Sequence, residues 1–479
     1  ETRKTRSIRE EEPKMSQSKR AGTDKFLDES FVYDGIVIAL IISVANNIYD
    51  LSILGLANEF ILILIVWYGI VEHFIRSSKT MNIDTRYRLF FYATFLIGSV
   101  LNTFIYKAYG ITFIPIIIVP MIITLLIDYE FGASAGLILS LSTAFHYHDF
   151  FMFLQLFPQV FISTYLLKNV RSRMQVAKAG LISGIVSLVM ILLQEPVRHF
   201  YFSSRDYLIL FLNPLVSSII VLGVLPYIEV STRIYSNIGL AEISTPNHPL
   251  LKLLIVHAPG TYYHSMRVAE LAEHAAENIQ ANSVLVRACA YYHDVGKIRN
   301  AEYFVENLRT PDDNPHNKLS PDISRSILIN HIKDGIEIAK KYRLPIQVEM
   351  AIPQHHGTRV QKYFYTKALE IDPNTKIEDF KYPGPRPKTK EMGILMLADV
   401  VEASSKSLKQ PTIDNLKQII QNTVIELFEE GELDETGLRV DELKIIIDSF
   451  TKVFETLSNQ RIEYPTVDEK TEDYKLINR

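Results

Sequence analysis

The chain has 479 residues, of which 48% are hydrophobic and 22% charged, with a net charge of −4. That length accommodates two or three domains, and nothing in the near-neutral balance suggests a protein that coats nucleic acid. A single cysteine, Cys289, excludes an intrachain disulfide and reads as a small core residue on an apolar helix face.

Those averages hide two unlike halves. Residues 1–30 are rich in Lys and Arg, and the first 25 are low in aromatics and lack helical periodicity, so they read as a disordered arm. No cleavable secretory signal is evident there. Residues 31–229 are dominated by Ile, Leu, Phe and Val. A spanning helix needs about 20 mostly apolar residues. Candidate spans fall near 33–49, 59–76, 89–106, 111–128, 132–148, 151–168, 178–195 and 207–229, about eight in all. Asn46, Asn47 and Asp50 shorten the first; His146, His148, Asp149 and Pro158 weaken the pair from 132 to 168. Arg76, Lys79, Arg86 and Arg88 mark one basic loop, and Lys168, Arg171, Arg173 and Lys178 another. Basic loops stay cytoplasmic. Even numbers of spans separate the basic head, both loops and the second half, which places all of them on the cytoplasmic side. His146-Tyr-His148-Asp149 has too few adjacent ligands to close a metal site and reads as an interfacial turn.

Residues 230–245 read as a juxtamembrane linker helix, 246–465 as a soluble domain and 466–479 as a tail. Apolar residues in the soluble domain recur at helical spacing with clear start and stop signals. Helices are expected from Pro259 to about 280 and over 283–297. Ser320-Pro321 opens a third to about 342, and Pro345 a fourth that ends at Gly357. Thr389 caps a fifth to about 407, and two more cover 412–430 and 439–460. No alternating strand pattern stands out. The fold class is therefore all-α: a polytopic transmembrane helix bundle followed by a cytoplasmic all-helical domain.

Five of the expected helices each deliver potential metal ligands: His264, then His293-Asp294, His331, His355-His356 and Asp399. Any one histidine is more often a hydrogen-bonded or partly exposed residue than a ligand. Asp399, however, lies in the apolar run Gly393-Ile-Leu-Met-Leu-Ala-Asp-Val-Val, where a carboxylate is costly unless paired or bound to a cation. Imidazole and carboxylate suit Fe, Mn, Co or Zn. Adjacent ligand pairs let one carboxylate bridge two ions, so the pattern points to a binuclear site.

His264, His293-Asp294 and Asp399 match the defining motif of the HD superfamily of metal phosphohydrolases. His331 and His355-His356 resemble its two-metal phosphodiesterase branch. The stretches PNHPLL (246–251), HAPGTYYHS (257–265), YYHDVGKI (291–298), NPHNKLSP (314–321), QHHGT (354–358), YPGPRPKTKE (382–391) and LMLADVVEAS (395–404) narrow it further. Together they resemble the seven-transmembrane HD-domain receptor family, whose HD module hydrolyses cyclic di-AMP. The chain departs from the family in two respects. The large extracytoplasmic domain that members typically carry after an N-terminal helix has no room between the first two spans. Tyr263 stands where a second His is expected beside His264.

The resemblance implies a metal-dependent phosphodiesterase of the bacterial inner membrane that opens cyclic di-AMP to linear pApA. It implies two divalent transition-metal ions, iron or manganese, one held by His264, His293, Asp294 and Asp399. Asp294 would bridge to the second, held also by His331, His355 and His356. Asp294 and Lys297 are the expected catalytic residues. Lys297 is expected to contact the phosphate, the bland alternative being a solvated lysine at a helix end. Lys297, His316, Lys318, Tyr365 and Arg386 are candidate substrate contacts, with Lys388 in the same class of loop. Tyr363, Phe364 and Tyr365 fit base stacking and core packing equally well. The expected partners are cyclic di-AMP and a lipid bilayer, with a homodimer compatible and no nucleic-acid polymer. The nearest alternative substrate, cyclic di-GMP, is weakened because His355-His356 is followed by Gly357-Thr358-Arg359 rather than an acid and Gly-Tyr-Pro. A nucleotide-binding membrane receptor without catalysis would be favoured by a missing ligand, and none is missing.

Overall fold

The computed structural model describes residues 20–47, 52–71, 85–406 and 412–459. The described residues form helices joined by turns, with one isolated bridge between Val360 and Lys381 and no strand. They divide into two compact units, one ending at Thr232 and the other starting at Arg233.

The first unit holds α1 (Arg20–Asn46), α2 (Ile53–Val66), α3 (Thr85–Tyr109) and α4 (Ile118–Leu126). It continues with α5 (Tyr129–His146), α6 (Phe150–Leu166), α7 (Arg173–Arg198) and α8 (Ser204–Thr232). Each of the eight expected spans overlaps a helix in its described residues, although the one near 111–128 holds an α-helix only over Ile118–Leu126. Three of these helices are long and apolar enough to cross a membrane, the α3 portion Leu89–Tyr109, α7 and α8. Residues 20–30, expected in the arm, are already helical, because α1 starts at Arg20. Residues 1–19, the basic segment 76–84 and the tail 466–479 lie outside the described residues.

Side-chain placement in this unit is inverted relative to a soluble protein. The packed face of α7 buries Ala179, Gly180, Ser183, Gly184 and Ser187. Its opposite face exposes Leu181, Ile182, Ile185, Val189, Leu192 and Leu193. Small residues let neighbouring backbones approach closely, while large apolar ones face lipid at no cost. Pro158, Pro196, Pro214 and Pro226 sit inside their helices, as membrane helices tolerate. The HYHD segment is dispersed. His146 Nδ1 lies 3.7 Å from Glu59, while Asp149 caps Phe151 and pairs with Arg198 at 2.9 Å.

The second unit begins with two short helices, α9 (Asn237–Ile243) and α10 (Pro249–His257). The linker expected as one helix over 230–245 is therefore split: α8 runs to Thr232 and Ser236 caps a new start. Next come α11 (Pro259–Asn278), α12 (Ser283–Tyr292), α13 (Pro321–Lys341), α14 (Ile346–Gln354) and α15 (Lys362–Ile371). The last three are α16 (Lys390–Ser405), α17 (Ile413–Glu429) and α18 (Val440–Asn459). The starts follow local chemistry. Asn282, Ser320 and Thr389 each accept a hydrogen bond from the backbone N–H three residues on, and Pro321 occupies the first turn, where its missing N–H is harmless.

One expected helix is shorter than its periodicity suggests. The pattern over 283–297 ends as α-helix at Tyr292 and passes into a tighter 3-10 run, Val295–Tyr303. The core is built from α11, α12 and α16, where Val268, Ala272, Cys289, Tyr292, Leu395, Leu397 and Val401 are buried together. Cys289 is fully buried there.

Candidate metal centre

All seven expected ligands converge. They form two groups, His264–His293–Asp399 and Asp294–His331–His355–His356, each with one ligand atom per residue lying within 4.8 Å of the others. The change of helix type after Tyr292 places His293 and Asp294 at the join, one serving each group. Gly296 then allows α13 to close in. A Cβ at that position would lie 1.8 Å from the His331 carbonyl oxygen, so only glycine lets the backbone carrying His331 come this near.

Hydrogen bonds fix the tautomers. Nδ1 of His293 lies 2.7 Å from the Ala290 carbonyl oxygen and Nδ1 of His355 2.6 Å from that of Ile352; Nδ1 of His331 contacts that of Leu328. A carbonyl only accepts, so Nδ1 carries a proton and Nε2 is the nitrogen left to coordinate. Those three Nε2 atoms, together with Asp294 Oδ1, are buried without a hydrogen-bond partner. They face carboxylate oxygens. His293 Nε2 lies 3.2 Å from Asp294 Oδ2 and 3.7 Å from Asp399 Oδ1. His331 Nε2 and His355 Nε2 lie 3.5 and 3.6 Å from Asp294 Oδ1. His264 repeats the pattern: Nδ1 meets Glu402 Oε2 at 2.6 Å, while Nε2 meets Asp399 Oδ1 at 2.9 Å and Asp294 Oδ2 at 3.7 Å. Each orphaned buried group costs about 1–3 kcal/mol. Cations between these atoms remove that cost, so the donor set fits divalent metal, as an HD domain implies.

The two groups differ electrostatically. Burial opposes charge on His293, but Asp294 and Asp399 outweigh it and push the imidazole up to about 10. Burial dominates at His331 and takes it down to about 4. His356 is held well below its ordinary range by burial and by His355 and His331. Burial works against ionised Asp294 and Asp399 as well, but Lys297 and His293 hold the first, and His264 and His293 the second, well below the usual carboxylate range.

Lys297 is not a solvated helix-end lysine. Its side chain is 12% exposed, and Nζ lies 2.6 Å from Asp294 Oδ2 and 2.8 Å from Glu306 Oε1. His316 is buried, with Nε2 2.9 Å from the Tyr303 carbonyl oxygen and its ring against Phe364. Phe364, Ala368 and Phe380 form a satellite core against which Tyr365 packs, which favours packing over stacking for Phe364 and Tyr365. Tyr363 is 61% exposed under Lys367. Lys318 and Lys388 are exposed. Arg386 bonds Thr358 Oγ1 at 3.3 Å and lies 4.0 Å from Glu432. Tyr263 is also exposed and leaves the ligand set intact.

Four neighbours went unassigned in the sequence. Glu402 follows Asp399 by three residues, so one face of α16 presents both carboxylates to His264. That spacing inside an apolar run was the available signal. Glu432, buried, accepts from the Thr358 backbone N–H at 3.0 Å and steadies the turn after His355-His356. Tyr382 stacks on His356, ring centroids 4.2 Å apart. Glu306 reaches Lys297 from a turn nine residues on. Only the fold brings these last three in.

Two family models match the chain. Residues 50–236, which include α2 to α8, match the model described as a 7TM receptor with intracellular HD hydrolase. Residues 261–404 match the HD domain. A cyclic-di-AMP phosphodiesterase PgpH of Listeria monocytogenes is 38% identical over 307 residues, covering 63% of this chain and 43% of that protein. The protein of the same name from Bacillus subtilis is 36% identical over 303 residues, covering 62% and 42%. The chain thus spans less than half the length of these curated relatives. A crystal structure of the L. monocytogenes PgpH HD domain in complex with cyclic di-AMP shares 44% identity, covers 45% of this chain and 100% of that one, and has a TM-score of 0.43.

Proposed function

From the premise that the chain belongs to the seven-transmembrane HD-domain receptor family, we propose that it is a membrane-anchored two-metal phosphodiesterase that opens cyclic di-AMP to linear pApA. One observation carries this reading: buried, unpartnered imidazole nitrogens converge on Asp294, whose two oxygens face the two ligand groups separately. The names of the relatives supply the substrate.

His264, His293, Asp399 and Asp294 Oδ2 would hold one ion, and Asp294 Oδ1, His331, His355 and His356 the other, with iron or manganese suited to such a set. Two such ions acidify water toward neutral pH and neutralise charge building on the phosphate. The chain's own residues do the rest. Asp294 sets the spacing of the two ligand groups. Glu402 fixes the tautomer of His264, leaving Nε2 free to coordinate. Lys297 supplies an ammonium beside Asp294 that donates to a phosphate oxygen. Tyr382 closes over His356 and limits its rotation.

In this reading residues 31–229 anchor the protein in the bacterial inner membrane. Residues 246–465 form the HD domain on the cytoplasmic side, where a second messenger is met. The basic segments at 76–88 and 168–178 support that orientation. Chromatography of the products after incubating the detergent-solubilised chain with Mn²⁺ and each cyclic dinucleotide tests the assignment. Linear pApA from cyclic di-AMP is expected; faster cleavage of cyclic di-GMP refutes the substrate.

A further inference from the structure

The 3-10 turn Val305–Asn307 is locked onto the first turn of α11, the helix that carries His264. A Cβ on Gly260 would lie 1.8 Å from the Glu306 carbonyl oxygen, so glycine is what permits the contact. Asn307 Oδ1 accepts from the Thr261 backbone N–H at 3.1 Å, and its Nδ2 donates to Thr261 Oγ1 at 2.9 Å. Thr261 Oγ1 in turn donates to Glu306 Oε1 at 3.1 Å. The same carboxylate oxygen takes Lys297 Nζ at 2.8 Å. Phe304 lies beneath the ammonium, 4.9 Å from ring centroid to Nζ. Glu306 is itself mostly buried and belongs to neither ligand group.

We propose that Glu306 is a positioning residue that holds the Lys297 ammonium at the reaction centre. This rests on the phosphodiesterase reading above and deepens it. Two dications facing only Asp294 and Asp399 leave the centre net positive, which repels an ammonium. Ions held there would also compete for the Asp294 carboxylate to which Lys297 is otherwise drawn. A lysine stem is flexible and easily displaced. Glu306 offers a separate negative charge, anchored through Thr261 to the helix that bears His264. It keeps Nζ within reach of a phosphate oxygen without occupying a metal ligand. Lys297 is the catalytic group, and Glu306 acts through it.

Glu306→Gln separates this role from simple docking of the turn, because the amide oxygen still accepts from Thr261 while the charge is lost. In the detergent-solubilised chain loaded with Mn²⁺, two ions per chain should remain. The kcat on cyclic di-AMP should fall roughly 10- to 100-fold with little change in KM, and calorimetry should show weaker binding of inorganic phosphate. In a Lys297→Gln background the same substitution should add almost nothing, because a residue acting through Lys297 has nothing left to position. Unchanged kcat and phosphate affinity, or an equal loss in both backgrounds, would overturn the proposal. If Glu306→Gln fails to retain two ions, Glu306→Asp replaces it. The shorter stem cannot reach Nζ, so a kcat loss with metal intact supports the proposal and full activity refutes it. A wild-type chain that cleaves no cyclic dinucleotide would instead refute the functional reading, while the phosphate titrations would still decide the role of Glu306.

Discussion

Both units bury polar clusters among apolar helices, and the two clusters have opposite balances of donors and acceptors. In the first unit Glu59, 1% exposed on α2, takes hydrogen bonds from Asn46 and, at 2.9 Å, from Asn47. Asn46 also donates to Ser142 and accepts from Thr103, each at 2.9 Å. Donors meet acceptors, so α1, α2, α3 and α5 are joined with nothing further required. In the second unit acceptors meet acceptors: imidazole lone pairs at His331 and His355 face Asp294 Oδ1. Burial of a polar group is common to both clusters and marks neither as a metal site. The mismatch of lone pairs does.

Removing the bridge gives the largest expected effect. Asp294→Ala should abolish turnover and lower the metal content below two ions per chain, read by elemental analysis after reconstitution under reducing conditions. More than a few per cent of the wild-type rate at saturating metal would break the contrast, since the second unit would then need no bridged pair. Glu402→Gln should act next. It keeps an acceptor for His264 Nδ1 but removes the charge, and a competing chelator should report metal affinity lower by about 10- to 100-fold.

Proton release then separates the two ligand groups. His293 titrates at about 10 in the metal-free fold, so at pH 8 it is charged and must lose its proton when metal binds. His331, at about 4, is already neutral. Titration with Mn²⁺ in two buffers of different ionisation enthalpy should therefore reveal proton release, about one per chain from this residue. Zero release at pH 8 would contradict the assignment. The same shifts set the pH dependence of the metal-free fold. Below 6.5 the unfolded chain binds a proton at His331 that the native state refuses, so that contribution weakens from about pH 6.5 down to 4. His293 contributes with the opposite sign: its stabilisation is complete below 6.5 and is lost as pH rises through about 10.

The smallest expected effect lies in the satisfied cluster. Glu59→Gln should leave two ions bound and lower the stability of the detergent-solubilised chain by only about 1 kcal/mol, read from thermal unfolding. Loss of metal from that variant would show that the two clusters are not independent.

Helix boundaries and candidate ligands were legible in the sequence because both are local signals. The Ser320-Pro321 start, the Thr389 cap and the apolar run around Asp399 each lie within a few residues of what they specify. The shortfall after Tyr292 has the same origin. Apolar spacing over 283–297 suits an α-helix, and only the demand that His293 and Asp294 face different ligand groups, with Gly296 against His331, explains the 3-10 run. The packing of His316 on Tyr303 and of Tyr365 on Phe380 was not legible, because those neighbours are brought in only by the fold.

By itself, then, the sequence determined the helical class, the split into an apolar and a soluble half and the seven candidate ligands, since periodicity, capping and ligand type are written in adjacent positions. The tertiary structure alone decided which oxygen of Asp294 faces which group, that Glu402 orients His264 across 138 positions of sequence, and that Glu306 holds Lys297. Those are pairings at a distance of ångströms between groups remote along the chain, and no local pattern encodes a distance that only packing creates.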